Sequence, residues 1–183
     1  MKNNRFNSFQ KVFMNWGFSW KGIFNNSKGE WFLLVQLIII LLHFHPNHHS
    51  IIGGNKLWIR CIMITGQAIT YIGIFSCGKS LFHLGGNLSP LPMPKKGSML
   101  TMSGSYENCR HPLYKGLIIT SAGWSIQTLN ILNLILFVAL TIILIMKAQK
   151  EEEYLLNKYD SYKEYKDKTP AILEGVPFMD WRN

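Results

Sequence analysis

Residues 112–156 read PLYKGLIITSAGWSIQTLNILNLILFVALTIILIMKAQKEEEYLL, and their hydropathy pattern decides the fold. Two apolar runs, 114–126 and 131–146, flank Thr128-Leu129-Asn130, a tight polar turn. Such a pattern predicts a helical hairpin of membrane-spanning length, since a span needs about 20 mostly apolar residues. The same pattern would also suit a core hairpin in a soluble protein. Two further apolar runs upstream argue against that reading. Residues 30–44 (EWFLLVQLIIILLHF) are short but dense, with Trp31 at an interfacial position. Residues 57–75 (LWIRCIMITGQAITYIGIF) are interrupted only by Arg60, whose long stem can carry its charge to the surface. The predicted fold class is therefore all-α: a polytopic membrane protein with about four transmembrane helices.

The composition agrees. Of 183 residues, 48% are apolar and only 16% charged, against roughly 25% charged in a typical soluble domain. With 19 basic and 10 acidic residues the formal charge is +9. Coupled to the apolar runs, that excess points to an anionic membrane surface rather than nucleic acid. Its distribution sets an expected orientation. Lys2, Arg5, Lys11, Lys21 and Lys28 precede the first run; Lys79, Lys95, Lys96 and Arg110 lie between the second and third; seven basic residues follow from Lys147 onward. The 45–56 connection holds one basic residue and the turn at Thr128 none. Four spans with both termini cytoplasmic satisfy this asymmetry, and no cleaved signal peptide is expected at the start. The whole chain reads as one domain: 1–29 as a cytoplasmic segment, 30–80 as the first two spans, 81–170 as the region holding the chemistry, and 171–183 as a tail. No repeat is present, and the pattern says nothing of oligomeric state.

The polar material on the cytoplasmic side falls in two pieces, a Pro/Gly-rich loop over 85–112 and a charged, helical-looking tail over 147–168. Pro90, Pro92 and Pro94 forbid helix and favour an extended segment. Arg110-His111-Pro112 sits where a helix begins, Pro112 suiting the first turn because its missing N–H would be unpaired there anyway. Arg110 and His111 then stand at an anion-friendly helix start, either as a ligand site or as a headgroup anchor. Tyr114 and Gly116 follow one turn on. Glu151-Glu152-Glu153 are costly near lipid unless they face water, Lys147 and Lys150, or a cationic ligand; a solvated helix face with i,i+4 pairing is the plain alternative. The hairpin brings both groups to the same membrane face.

Other features carry less. His43, His45, His48 and His49 lie on the sparsely charged side with no carboxylate nearby, and read as a loop rather than a metal site. Cys61, Cys77 and Cys109 lack the spacing of a disulfide scaffold or zinc ribbon, and Cys109 has no assembled base to make it a nucleophile. His83 reads as interfacial. No Gly-rich loop has the strand and helix context of a nucleotide-binding domain, so any adenosine cofactor must be held by loops against a helical scaffold. No metal is expected.

The ordered run GGNLSPLPMPKKGSMLTMSGSYENCRHPLYKG, the apolar hairpin and KAQKEEEYLLNKYDSYKEY together resemble the isoprenylcysteine carboxyl methyltransferase family, over about residues 81–170. The shared pattern is a Leu-hydroxyl-Pro loop, then Gly104, Tyr106, Arg110, His111, Pro112, Tyr114 and Gly116, then Glu151, Glu152 and Leu155, with Tyr159, Tyr162 and Tyr165 behind. The resemblance implies an integral-membrane enzyme using S-adenosyl-L-methionine, bound at the cytoplasmic face between a loop and the C-terminal helix. Ser98, Met99, Leu100, Thr101, Tyr106, His111, Pro112, Leu113, Tyr114 and Gly116 would line the cofactor, with Glu151 and Glu152 closing the other side. Arg110 and Glu151 would carry the catalytic roles. Lys147 falls where the family places a basic substrate contact, usually Arg. The sequence departs from the family at Ser98, where a basic residue is usual, and at Thr169-Pro170-Ala171, where a closing Pro is usual.

The chemistry implied is compatible with these residues. In-line methyl transfer depends mainly on positioning, and a carboxylate acceptor is already ionised at neutral pH. Glu151 can hold the cofactor's amine or ribose hydroxyls, and Arg110 or His111 its carboxylate. The implied acceptor is a lipophilic or lipidated carboxylate entering from the bilayer. Three alternatives stay open: phospholipid or amine N-methylation, which would require a base to deprotonate the amine; an NADPH-dependent membrane sterol-type reductase, which shares an Arg-His-Pro-x-Tyr stretch but usually has Asn in the place of Leu113; and a non-catalytic membrane scaffold.

Overall fold

The computed structural model describes residues 20–43, 45, 56–95 and 97–182, and among them every regular element is helical. Lys2, Arg5, Lys11, Lys96, His48 and His49 lie outside the described residues, but His43, expected in a loop, is instead the last residue of the Glu30–His43 helix, buried, with Nε2 3.3 Å from Ser121 O and its carbonyl accepting from Trp124 Nε1. The helices are α1 (Trp20–Asn25), α2 (Glu30–His43), α3 (Leu57–Leu84), α4 (Pro112–Thr128), α5 (Ile131–Lys158) and α6 (Tyr162–Lys168), with single 3₁₀ turns at Gly85–Asn87 and Gly104–Tyr106.

Local sequence explains the boundaries. Pro112 occupies the first turn of α4, as expected. The helix ends at Leu129, which takes left-handed angles (φ 48°, ψ 43°) while its N–H reaches Ser125 O. Asn130 then caps α5, its side-chain oxygen accepting from Leu132 N at 2.7 Å and Asn133 N at 3.3 Å. Asn133, fully buried, donates to Thr128 Oγ1 at 2.8 Å and accepts from Ser125 Oγ through its carbonyl at 2.8 Å. The turn read from Thr128-Leu129-Asn130 is thus a hydrogen-bonded corner.

Two differences from the expected boundaries matter for the site. α3 runs 28 residues, nine past Phe75, which at 1.5 Å per residue is about 42 Å and exceeds a bilayer's hydrocarbon thickness of about 30 Å. α5 likewise continues unbroken from the apolar run through Glu151-Glu152-Glu153 to Lys158. Both helices therefore carry polar ends beyond their apolar bodies, and Leu84 of one and Glu151 of the other line the same cavities.

Packing follows small residues. α4 lies most extensively on α3, where Gly66 and Gly73 face Gly123 and Thr120. A Cβ at Gly66 would sit 2.4 Å from Gln127 N, and one at Gly123 2.4 Å from Thr70 N. This backbone-to-backbone approach is the packing that apolar helices use where lipid removes the hydrophobic drive. α5 contributes Leu136, Leu140, Leu144 and Ala148, a stripe at i+4 spacing buried with Ile39 of α2, Tyr114 and Ile118 of α4, and Ala171 and Ile172 of the tail.

The outward faces are apolar: Met63, Ile64, Ile72, Ile74 and Phe75 on α3, and Ile131, Leu134, Ile135, Val138 and Ile142 on α5, are exposed. Among the described residues two helical segments are long and apolar enough to cross a membrane, Leu57–Asn87 and Ile131–Lys158. α2 and α4 are shorter, 14 and 17 residues. The fold is that of an all-helical, membrane-associated protein.

Candidate active site

The site lies where the ends of α3 and α5 meet the start of α4, with the 88–106 loop laid across them. The prolines keep that loop extended, and polar contacts fasten it. Ser89 Oγ donates to Leu91 O and Met93 O at 3.1 and 3.0 Å. Asn87, just past α3, accepts from Met99 N at 3.1 Å and donates to Thr101 Oγ1 at 3.0 Å. From the other side Lys158 donates to Ser98 Oγ at 2.9 Å, and the Tyr159 hydroxyl donates to Ser98 O. Gly104 has φ +66°, and a Cβ there would strike the His83 ring at 2.8 Å. His83 Nδ1 accepts from Ser105 N at 2.9 Å. His83 thus pins the loop's return, a structural role.

At the centre stands a buried carboxylate. Glu152, 3% exposed, meets Arg110 Nε at 2.9 Å and His111 Nε2 at 3.0 Å through Oε1, and accepts from Trp181 Nε1 at 2.8 Å through Oε2. The backbone N–H groups of Arg110 and His111 donate to Pro170 O and Ala171 O, both at 2.9 Å. Arg110 Nη1 donates to Lys166 O. His111 stacks on Tyr114, ring centroids 5.4 Å apart and planes within 3°. The Tyr114 hydroxyl donates to Glu151 Oε2 at 2.8 Å. Each functional side chain is therefore held by a second one, as a preorganised site requires.

Two cavities adjoin this cluster and share Leu84, Ser89, Tyr106, Arg110 and Glu151 as walls. The larger, about 130 Å³, opens between α2, α4 and α5 and is lined also by Leu33, Gln36, Leu88, Pro90, His111, Leu113, Tyr114 and Lys147. The smaller, about 70 Å³, is lined by Asn87, Pro94, Ser98, Met99, Leu100, Thr101, Leu155, Tyr159, Tyr162 and Tyr165. Both mix polar and apolar walls: the larger sets Gln36, His111 and Lys147 beside Leu33, Leu88 and Leu113, and the smaller sets the hydroxyls of Ser98, Thr101, Tyr159, Tyr162 and Tyr165 beside Met99, Leu100 and Leu155. Burial, reinforced by Glu151 for Tyr106 and by Glu152 for Tyr162, pushes these phenols well above their ordinary value, as burial does for Tyr165. All three stay hydroxyl donors at neutral pH and none can serve as a phenolate base. Burial also raises the Cys109 thiol, whose Sγ donates to Ala171 O at 3.3 Å, so it is an inert packing group.

Two buried polar atoms at this site lack partners among the described residues: Arg110 Nη2 and the Tyr162 hydroxyl. Both residues line the smaller cavity. Unpaired buried donors are costly to keep, and these two fit a ligand carrying a carboxylate and hydroxyl oxygens, groups that S-adenosylmethionine has.

The expected residues separate by role. Ser98, Met99, Leu100 and Thr101 line the smaller cavity; His111, Leu113, Tyr114 and Lys147 the larger; Tyr106, Arg110 and Glu151 both. Pro112, Gly116 and Glu152 line neither. Pro112 starts α4, and Gly116 packs on α3, where a Cβ would meet Cys77 Sγ at 2.6 Å. Glu152 stands behind Arg110 and His111. Sequence reasoning missed Leu33, Gln36, Leu84 and Trp181. Gln36 carried a signal, being the one polar residue in WFLLVQLIIILL, and a polar group inside a membrane segment reads as functional by default. Among the described residues no group of three metal-ligating side chains comes together.

No protein-family model matches the chain. Protein-S-isoprenylcysteine O-methyltransferase A of Arabidopsis thaliana is 26% identical over 65% of this chain and 57% of its own length. The protein-S-isoprenylcysteine O-methyltransferase of Saccharomyces cerevisiae is 30% identical over 64% of this chain and 47% of its own length. The cobalt-zinc-cadmium resistance protein CzcN of Cupriavidus metallidurans is 24% identical over 79% of this chain and 62% of its own length. The chain spans about half the length of the isoprenylcysteine enzymes it matches. The resemblance carried by the loop, the Arg-His-Pro helix start and the twin glutamates is matched by sequence similarity over about two thirds of the chain, and this protein is related to the protein-S-isoprenylcysteine O-methyltransferases.

Proposed function

We propose that this chain is a membrane-embedded methyltransferase that moves a methyl group from S-adenosylmethionine to a lipophilic carboxylate, an isoprenylcysteine-type acceptor being the first choice. The observation that carries the reading is the pair of adjoining cavities, one walled by the 87–101 loop, one opening between α2, α4 and α5, sharing Arg110, Glu151 and Tyr106. With part of it in the smaller cavity and the rest against the loop, S-adenosylmethionine would supply a sulfonium methyl; an ionised carboxylate oxygen takes that methyl without loss of a proton as the S–CH3 bond breaks and S-adenosylhomocysteine leaves.

The chain's residues then have distinct tasks. Arg110 Nη2 holds the cofactor's carboxylate, and Tyr162 donates to an acceptor atom beside it. Glu151, oriented by the Tyr114 hydroxyl, holds the amine or ribose hydroxyls. Glu152 keeps Arg110 and His111 in place. Lys147 receives the negative end of the acceptor from the membrane side. The roles of Ser98, Met99, Leu100, Thr101 and the Tyr106 hydroxyl are to enclose the cofactor, while Leu113 walls the larger cavity. The basic asymmetry of the sequence and the polar extensions of α3 and α5 support four spans, with the site and both termini cytoplasmic; α2 and α4 are then the two short spans.

Calorimetric titration of detergent-purified protein with S-adenosylhomocysteine, beside NADPH, tests the reading. We expect saturable binding of the first, weakened at least about 10-fold by Glu151→Gln through loss of a charge-assisted hydrogen bond. Binding of NADPH alone would move the site to hydride chemistry, and binding of neither would leave a scaffold.

A further inference from the structure

α2 lies outside the 81–170 segment that carries the resemblance, yet it sets a polar side chain in the larger cavity. Lys147 Nζ donates to Gln36 Oε1 at 2.8 Å and lies 5.3 Å from the centroid of the Tyr114 ring. Both residues are buried, Lys147 to 2% and Gln36 to 9% exposure, and both line that cavity. Among the described residues no carboxylate oxygen lies within 4.0 Å of Lys147 Nζ. The two candidate counter-charges have other partners: Glu151 Oε2 accepts from Tyr114, and Glu152 is paired with Arg110 and His111. Among the described residues the Gln36 amide nitrogen makes no hydrogen bond, its oxygen alone being used.

A buried ammonium held by a neutral amide and an aromatic face keeps its charge without cancelling it. A glutamate in place of Gln36 would neutralise Lys147; an aliphatic residue would leave it with no acceptor. Gln36 does neither. Its oxygen fixes the lysine, which leaves the amide hydrogens as a second donor at the same cavity. One cation and one amide donor side by side suit a carboxylate, whose two oxygens can take one each. A cationic amine would meet the like charge of Lys147 there, with Glu151, the carboxylate on the same cavity wall, already bonded to Tyr114.

We propose that Gln36 and Lys147 form a carboxylate clamp in which Gln36 is the selecting residue, admitting an anionic acceptor and turning away neutral and cationic ones. The clamp rests on the reading of this cavity as the acceptor's place, and its test is separable from the test of methyl transfer.

N-acetyl-S-farnesyl-cysteine and its carboxamide counterpart serve as probes, each titrated into the full chain in detergent. The wild type is expected to bind the acid at least about 10-fold tighter than the amide, the size of a charged hydrogen bond. Gln36→Met, which keeps length and packing, should weaken the acid by about 10-fold, leave the amide unchanged, and keep S-adenosylhomocysteine affinity within about twofold. Gln36→Glu should abolish the preference. Equal binding of acid and amide to the wild type, no binding of either, an unaltered acid affinity in Gln36→Met, or a parallel fall in S-adenosylhomocysteine affinity would each overturn the clamp. Formation of the methyl ester is measured separately. Clamp-dependent acid binding without ester would sink the methyl-transfer reading and leave the clamp standing; ester formation with Gln36-independent affinity would do the reverse.

Discussion

Tyr162 is the largest of the fully buried side chains, and its hydroxyl has no protein partner among the described residues. A buried hydroxyl without a bond penalises the free protein and helps only when something arrives to accept from it. Tyr162→Phe is therefore expected to leave the thermal midpoint of the ligand-free protein unchanged or raised. It should weaken S-adenosylhomocysteine about fivefold, the worth of one net hydrogen bond of about 1 kcal/mol. Parallel thermal scans with and without ligand check it: the stabilisation that ligand confers should shrink in the variant. Glu152 presents the opposite case. Its oxygens are fully engaged, and it touches neither cavity, so its importance is in holding Arg110 and His111. The string Glu-Glu could not distinguish the two roles, because adjacent helical residues differ by about 100° in direction and only the packing of α5 decides which faces inward.

The elements add constraints no single residue carries. The tail after α6 returns across the site: Ile172 N donates to Met179 O at 2.9 Å, which closes a loop that delivers Trp181 to Glu152. The Trp181 ring also lies 6.4 Å from the His111 ring and 6.0 Å from Arg110 Cζ. Trp181→Phe keeps the ring and removes the donor, stranding Glu152 Oε2. A loss of about 1–3 kcal/mol of stability is expected, read by chemical denaturation in detergent, with weaker S-adenosylhomocysteine binding alongside. At the other end of the fold, Gly123→Ala places a methyl 2.4 Å from Thr70 N. Neither backbone can yield without parting α3 from α4, so a lowered thermal midpoint is expected, by an overpacking cost of about 1–3 kcal/mol. Helix positions, the 128–130 corner and the convergence of Arg110 with the glutamates were legible from hydropathy and turn chemistry. The tail's return was not. The run FMDWR (178–182) carries no periodicity, and a stretch of chain held by isolated contacts to a site announces itself only in three dimensions.

For the molecule as a whole, two long helices have polar ends on one side and a hydrogen-bonded corner on the other, and the proposed four-span arrangement puts these on opposite faces of the membrane. Lys95→Cys should react with a membrane-impermeant maleimide only when the cytoplasmic face is accessible, and Gln127→Cys, beside the corner, only from the opposite face. Both reacting from one side would end the four-span arrangement. The length of α3 and α5 was the part of this scale that hydropathy missed, since an apolar window stops scoring at the first polar turn while the backbone hydrogen bonds continue.

That the larger cavity is bounded by α2, α4 and α5 has a kinetic consequence. On the proposed function, its acceptor is dissolved in a sheet two molecules thick, so the quantity that saturates the protein is acceptor per lipid molecule. Adding inert phospholipid at fixed acceptor and protein should then slow turnover, although nothing in the aqueous phase has been diluted. The proposed cofactor, drawn from water, would obey bulk concentration. A single protein so built keeps two kinds of molarity at once, and its rate law must carry both.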